Sequence, residues 1–150
     1  MNMEKLLAML TNTGITLYNK YISSGKELYQ RTQISAVKWE NRKAANVIKS
    51  GLLEADSVTI FISLAVGAKY LKPVAWQAAK SGKWTLQIGD YVVKGLVSDE
   101  IVEAVSGPPA VAAFTMSMLK SKYDDVVQIT SVDTMDIGSA SMRHWQVGAQ

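Results

Sequence analysis

The sequence predicts a mainly-β protein: a small β-barrel or compact sandwich with short helical inserts and one long extended loop. Three observations carry this. Runs of β-rich residues with a two-residue period recur along the 150 residues. Short Gly-containing connections, Ser23-Ser24-Gly25 and Gly89-Asp90, join pairs of these runs as hairpin turns would. The helical patterns between them reach only a turn or two, too short to form a layer of their own.

The elements follow in order. Residues 3–10 place Met3, Leu6, Leu7 and Leu10 on one helical face, so residues 1–12 are expected as an N-terminal arm or short helix that needs a partner surface. Residues 13–150 form a single β-rich domain. Ile15, Leu17 and Tyr21 alternate with Thr16, Tyr18 and Lys20 as a half-buried strand. After the Ser-Gly turn, residues 27–39 read as its hairpin partner. Residues 40–56 show no clean period and are expected as the long polar loop. Ser57 to Ser63 is the clearest strand, with Val58, Ile60 and Ile62 on one side and Thr59 and Phe61 on the other. Pro73 opens a short helix closed by Ser81-Gly82. Residues 83–88 and 91–97 read as a second hairpin, and Ser98 caps a helical turn or two reaching Val105. Thr115 or Ser117 caps another short helix ending near Tyr123. Strands at 126–133 and 141–147 close the chain.

Composition narrows the function. One domain of this length buries roughly 70% of its unfolded surface and needs no metal or disulfide to fold. There is no cysteine, which removes thiolate metal sites and thiol nucleophiles, and the single histidine leaves little for an imidazole metal centre. The longest apolar stretch, residues 60–68, is interrupted by Ser63 and Gly67 and is too short to span a membrane. The first ten residues lack a signal-peptide cleavage pattern, so a cytosolic start is expected. Charge is uneven: residues 1–75 carry a net +5 and residues 76–150 a net −2. Such a split suits a subunit whose ends meet unlike surfaces.

Catalytic constellations mostly fail. A Ser-His-Asp triad would have to use His144, which sits in a strand pattern beside Trp145, and no Gly-x-Ser-x-Gly occurs. Asp99/Glu100 and Asp124/Asp125 are paired carboxylates, but their positions fit a helix start and a helix-to-strand turn. No phosphate-cradling glycine loop is present. The tryptophans at 39, 76, 84 and 145 suit a core better than a base-stacking platform, with Trp84 and Trp145 assigned to the barrel interior. No enzyme activity, cofactor or metal is expected.

Several stretches together carry a resemblance: Ile15 to Tyr21, Tyr29 to Thr32 with Val37 to Trp39, Leu53 to Ile60, Gly82 to Gly95, Tyr123 to Val126 with Ser131 to Asp133, and Met142 to Gly148. In this order the chain resembles a family of small proteins from tailed phages and prophages of Gram-positive bacteria, encoded among the capsid and tail morphogenesis functions. The strongest blocks are Trp84 to Gly95 and His144 to Gly148, and the chain departs from the pattern at Ser106 to Ala113. The resemblance implies a structural component of the head–tail connector, or neck, in the manner of head-closure (stopper) proteins. It implies a ring, hexameric or dodecameric, contacting portal or adaptor and tail-completion proteins, with non-specific contact to packaged DNA and none to a membrane. Its place would be the virion neck, assembled in the bacterial cytoplasm. On that reading Lys38, Arg42, Lys43 and Lys49 are the candidate partner or DNA-channel contacts. The alternatives are a tail-completion or terminator protein of the same neck and, from another class, a nucleic-acid-binding β-barrel.

Overall fold

A computed structural model of the chain describes residues 11–48, 51–139 and 142–150, with residues 42–48 and 51–56 described as backbone. The expected N-terminal helix at residues 3–10 lies outside the described residues. Six antiparallel strands make the fold: β1 (Thr13–Ser23), β2 (Lys26–Ile48), β3 (Gly51–Ser63), β4 (Tyr91–Lys94), β5 (Val126–Met135) and β6 (His144–Ala149). They close into a barrel in the order β1-β2-β3-β6-β5-β4. The barrel is thus two three-stranded meanders, joined where β3 pairs with β6 and β1 pairs with β4. Of the two architectures open to the sequence, the structure has the barrel.

Local chemistry explains the first hairpin. Ser24 and Gly25 both take positive φ, 53° and 75°, as a two-residue turn matched to strand twist requires. The register then runs from Ser23 opposite Lys26 to Leu17 opposite Thr32 and beyond. This brings Ile15 and Leu17 inward, where Ile34, Val37 and Trp39 of β2, Val58, Ile60 and Ile62 of β3, Val92, Ile129, Trp145 and Val147 complete one apolar core. The alternation read for residues 58–62 holds in that list. Trp84 and Trp145 are in the same core, with Tyr70 wedged against both: ring centroids lie 4.4 Å (Tyr70–Trp145), 5.2 Å (Tyr70–Trp84) and 5.5 Å (Trp84–Trp145) apart. Gly67 passes so close to the Trp145 ring that a β-carbon there would collide with it.

Both faces of β1 are buried, because a second layer covers the outside of the barrel there. Tyr18 and Val93 pack with Val97 and with Leu119 of a short helix α2 (Met116–Lys122). Thr115 caps that helix, its hydroxyl accepting the Met118 N–H at 3.2 Å. The other helix, α1 (Pro73–Ala79), starts on Pro73 and ends where Lys80 turns to a φ of 49°. It buries Trp76 completely, edge-on to Tyr21, with the indole N–H donating to the Lys83 carbonyl at 3.0 Å.

Four expectations are corrected. Residues 40–48 and 51–56 are not a loop: β2 and β3 run through them in unbroken register from Lys38–Phe61 to Ile48–Gly51. A two-stranded ribbon beyond the barrel has no core to impose an alternation, so its strands left no period in the sequence. Residues 83–88 do not pair with residues 91–97, because both edges of β4 are taken, by β1 and by β5; Trp84 instead bridges to Tyr70. Residues 98–105 are not helical. The Val97 N–H is held by the Thr16 hydroxyl at 2.7 Å, and the Asp99 carbonyl accepts the Tyr18 hydroxyl at 2.6 Å, a carbonyl that a helix would have used itself. The segment becomes an extended finger, with Val102 bridged to Phe114 and Val105 to Val111. The last strand begins at His144, three residues later than residue 141.

Removing the aromatic wedge tests this core. Trp145→Ala is expected to lower unfolding stability by about 3–5 kcal/mol and Gly67→Ala by about 1–3 kcal/mol through displacement of the same ring, both read from urea unfolding.

Candidate interaction surface

The basic residues singled out in the sequence fall on the ribbon. β2 loses β1 after Val37, and β3 meets β6 only from Val58 onward. Between these limits, among the described residues, the two strands pair only with each other, as an arm leaving the barrel. At its root, the Asn12 side chain covers the outer edge of β2, accepting the Trp39 N–H at 2.9 Å and donating to the Trp39 carbonyl at 3.0 Å. Lys38 lies here, half-exposed, paired with Glu40 at 3.0 Å and set over the Phe61 ring at 5.5 Å. Arg42 and Lys43 follow on the same strand, opposite Ser57 and Asp56. Lys49 lies outside the described residues. The fold therefore brings Lys38, Arg42 and Lys43 onto one strand within about 17 Å, Lys38 where β2 still belongs to the barrel wall and Arg42 and Lys43 where it has passed beyond the last barrel pairing.

A second polar feature was not legible in the sequence. Asp90, only 2% exposed, is held at the foot of β4 by three donors. Asn19 Nδ2 and Gln87 Nε2 reach one carboxylate oxygen at 2.8 and 2.9 Å, and the Lys20 N–H reaches the other at 3.1 Å. The Asn19 amide also clasps the backbone of Thr85, donating to its carbonyl at 2.7 Å and accepting its N–H at 3.2 Å. Gln77 and Gln87 both donate to the Lys20 carbonyl. Burial pushes the Asp90 carboxyl above its ordinary value, against the pull of these hydrogen bonds. Beside it opens a depression of about 400 Å³ between Tyr21, Ile22, Gln77 and Ile88. The network ties the 84–90 segment to the outer edge of β1, a structural clasp. Its only sequence trace is the Gly89-Asp90 turn signal, which pointed to a hairpin.

Of the paired carboxylates, Asp99 and Glu100 are spent on the chain's own cations. Asp99 takes the Lys122 ammonium at 2.8 Å and the Tyr123 hydroxyl at 2.6 Å, and these hold its carboxyl below the usual value. Glu100 meets Arg31 at 3.5 Å. Asp124 and Asp125 are exposed between α2 and β5. No group of three or more acidic or histidine side chains is placed to hold a metal among the described residues. His144 packs on Phe61 with Nδ1 3.0 Å from the Met142 carbonyl, as a sheet residue and not as a base aimed at a hydroxyl. Burial pushes the Tyr18 phenol up to about 12, so it remains a hydrogen-bond donor to Asp99 at any physiological pH. Among the described residues, no helix is long and apolar enough to cross a membrane.

The chain belongs to a family of unknown function (DUF6751), whose model matches residues 10–150. No curated protein and no solved structure matches it.

The clasp yields a stability test with a definite sign. Asp90→Ala leaves the Lys20 N–H without its acceptor and is expected to cost about 1–3 kcal/mol in urea unfolding. The folded protein holds the Asp90 proton more tightly than the unfolded chain does. Its contribution to stability is therefore greatest below the ordinary value of 3.8 and falls as pH rises through the window just above it. In Asp90→Asn that downward contribution disappears, so the slope of stability against pH in that window should become more positive than in the parent.

Proposed function

We propose that this protein is a non-enzymatic structural component of the head–tail connector of a tailed phage, acting in the manner of head closure. It would form a homo-oligomeric ring between the portal–adaptor assembly and the tail. The observation that carries the reading is a closed barrel bearing a two-stranded arm beyond its last barrel pairing, with basic residues along one strand of that arm. A closed barrel is rigid and buries its own strand edges. An arm that adds nothing to the wall serves contacts outside it. The polar clusters among the described residues are tied to the chain's own groups, Asp90 in its clasp and Asp99 and Glu100 on cations. The resemblance of residues 14–148 to small phage and prophage proteins supplies the setting. Within that setting, the unlike charges of the two halves of the chain suit a subunit that meets different neighbours above and below.

The location of the protein in assembled particles tests this. Particles from a phage or prophage encoding the chain, labelled with an antibody against it and imaged by electron microscopy, should carry label at the neck alone. Label along the tail tube or over the capsid surface would overturn the assignment. Binding of the isolated protein to short duplex DNA that survives physiological salt, and is lost on neutralising Lys38, Arg42 and Lys43, would move the reading to a nucleic-acid-binding barrel.

A further inference from the structure

We infer that copies of this chain join to one another through the arm, the outer edge of β2 in one copy pairing with the outer edge of β3 in the next. This deepens the ring reading by naming where neighbours meet, and rests on that reading only for closure into a ring.

The backbone supplies the first reason. Closure of the barrel satisfies its ladder, but among the described residues no strand pairs with the outer edge of residues 40–48 or of residues 51–56. Nine consecutive residues of β2 present about 30 Å of edge at the usual strand rise. Natural proteins that leave an edge in solvent blunt it with a proline, a bulge, a very short strand or charged side chains. The arm carries charges, of opposite net sign on its two strands, which repel a like edge and admit an unlike one; it has none of the other devices. Its sequence from Lys38 to Phe61 contains no proline. Its pairing runs without a register shift from one end to the other, whereas the β1–β2 and β5–β6 pairings of the barrel each carry one. An edge of unbroken register, unpaired among the described residues, is a template for another strand.

Charge identifies which strand. Residues 38–48 of β2 contain Lys38, Arg42 and Lys43 against Glu40, a net +2. Residues 51–61 of β3 contain Glu54 and Asp56 and no basic residue, a net −2. The two edges of one arm are thus complementary to each other and repulsive to themselves. Inside the arm the register already sets Lys43 opposite Asp56. A β3 strand from another copy, laid on the far side of β2, would meet the same basic strand that its own β2 provides. The occupant that fits both edges is a second copy of this chain. Because the two edges differ, the contact is head-to-tail, the kind that closes into rings or runs on as filaments.

The test uses two charge reversals in the full chain, Arg42→Glu with Lys43→Glu, and Glu54→Lys with Asp56→Lys. Sedimentation velocity and light scattering at low salt follow each variant alone and an equimolar mixture. The parent should show oligomers that grow with concentration and dissociate as salt is raised. Each variant alone has like-charged edges and should associate at least about tenfold more weakly. The mixture should regain association, because the acidic β2 of one variant meets the basic β3 of the other. That recovery separates pairing between copies from stabilisation within one arm, which mixing cannot restore. Near-UV circular dichroism of the buried tryptophans checks that the barrel is intact in each variant. A parent that stays monomeric up to about 1 mM, variants that associate like the parent, or a mixture that stays dissociated would each overturn the inference. Misplaced label in the particle would overturn the neck assignment and leave pairing between copies standing. A failed mixture with neck-located label would do the reverse.

Discussion

Barrel closure depends on β4, a strand of four residues. Tyr91 to Lys94 pairs with β1 on one side and with β5 on the other, and joins the two meanders along that seam. A strand so short has little ladder of its own to hold it in register. The register is set at its start by Asp90, clasped to Asn19 and Lys20 of β1, and at its end by the Gly95 N–H, which donates to the Gly14 carbonyl at 2.7 Å. Without β4 the sheet would be open along β1 and β5, and the apolar core between the meanders would face water.

The layers outside the barrel follow from the same seam. The outward face of β1 and β4 carries Tyr18 and Val93, both fully buried, so something must cover them. The cover is α2 with the base of the finger, fastened by Lys122 and Tyr123 on Asp99 and by Arg31 and Gln33 on the Val97 carbonyl. The ion pairs in this region are partly exposed and set geometry more than they add stability. Burial of Leu119 and Tyr18 contributes the larger share. The opposite seam, β3 with β6, needs no outer cover, since Ile60 and Ile62 meet Val147 and Trp145 across the strands and the inner core takes them all.

The arm stands apart from this economy. From Lys38 outward β2 leaves β1, and a strand pair that leaves a barrel loses the core that made it stable. That such a pair persists in one chain, with opposite charge on its two strands, connects the charge asymmetry of the sequence to a place in the fold. Much of the basic excess of the first half lies on or beside β2. The acidic residues of β3, Glu54 and Asp56, face it across the register.

Legibility in the sequence tracked the presence of a nearby core. Val58, Ile60 and Ile62 alternate against the barrel interior, and the strand could be read directly. Pro73 and Thr115 mark helix starts through their own backbone chemistry, and Ser24-Gly25 takes the positive φ values that its turn demands. The 40–56 segment reads as a loop in the sequence because no core faces it beyond Asn41, and the strands described there are defined only by one another. The Gly89-Asp90 step was read as a hairpin turn because the local residues suit one. Asp90 instead binds Asn19, 71 residues earlier in the chain, a partner that no local window contains. Ser98 was read as a cap for the same reason, while Thr16 and Tyr18 held the backbone that a helix needed.

Alternation, capping and turn chemistry are short-range, so the sequence alone determined that the protein is mainly β, that short helices start at Pro73 and near Thr115, and that Trp84 and Trp145 belong to the core. Which edges pair is a competition among distant strands for a limited number of backbone partners. Only the tertiary structure decided that β1 and β4 close the barrel, that residues 83–88 are left to bridge Tyr70, and that β2 and β3 run on together as an arm whose outer edges no other described strand pairs with.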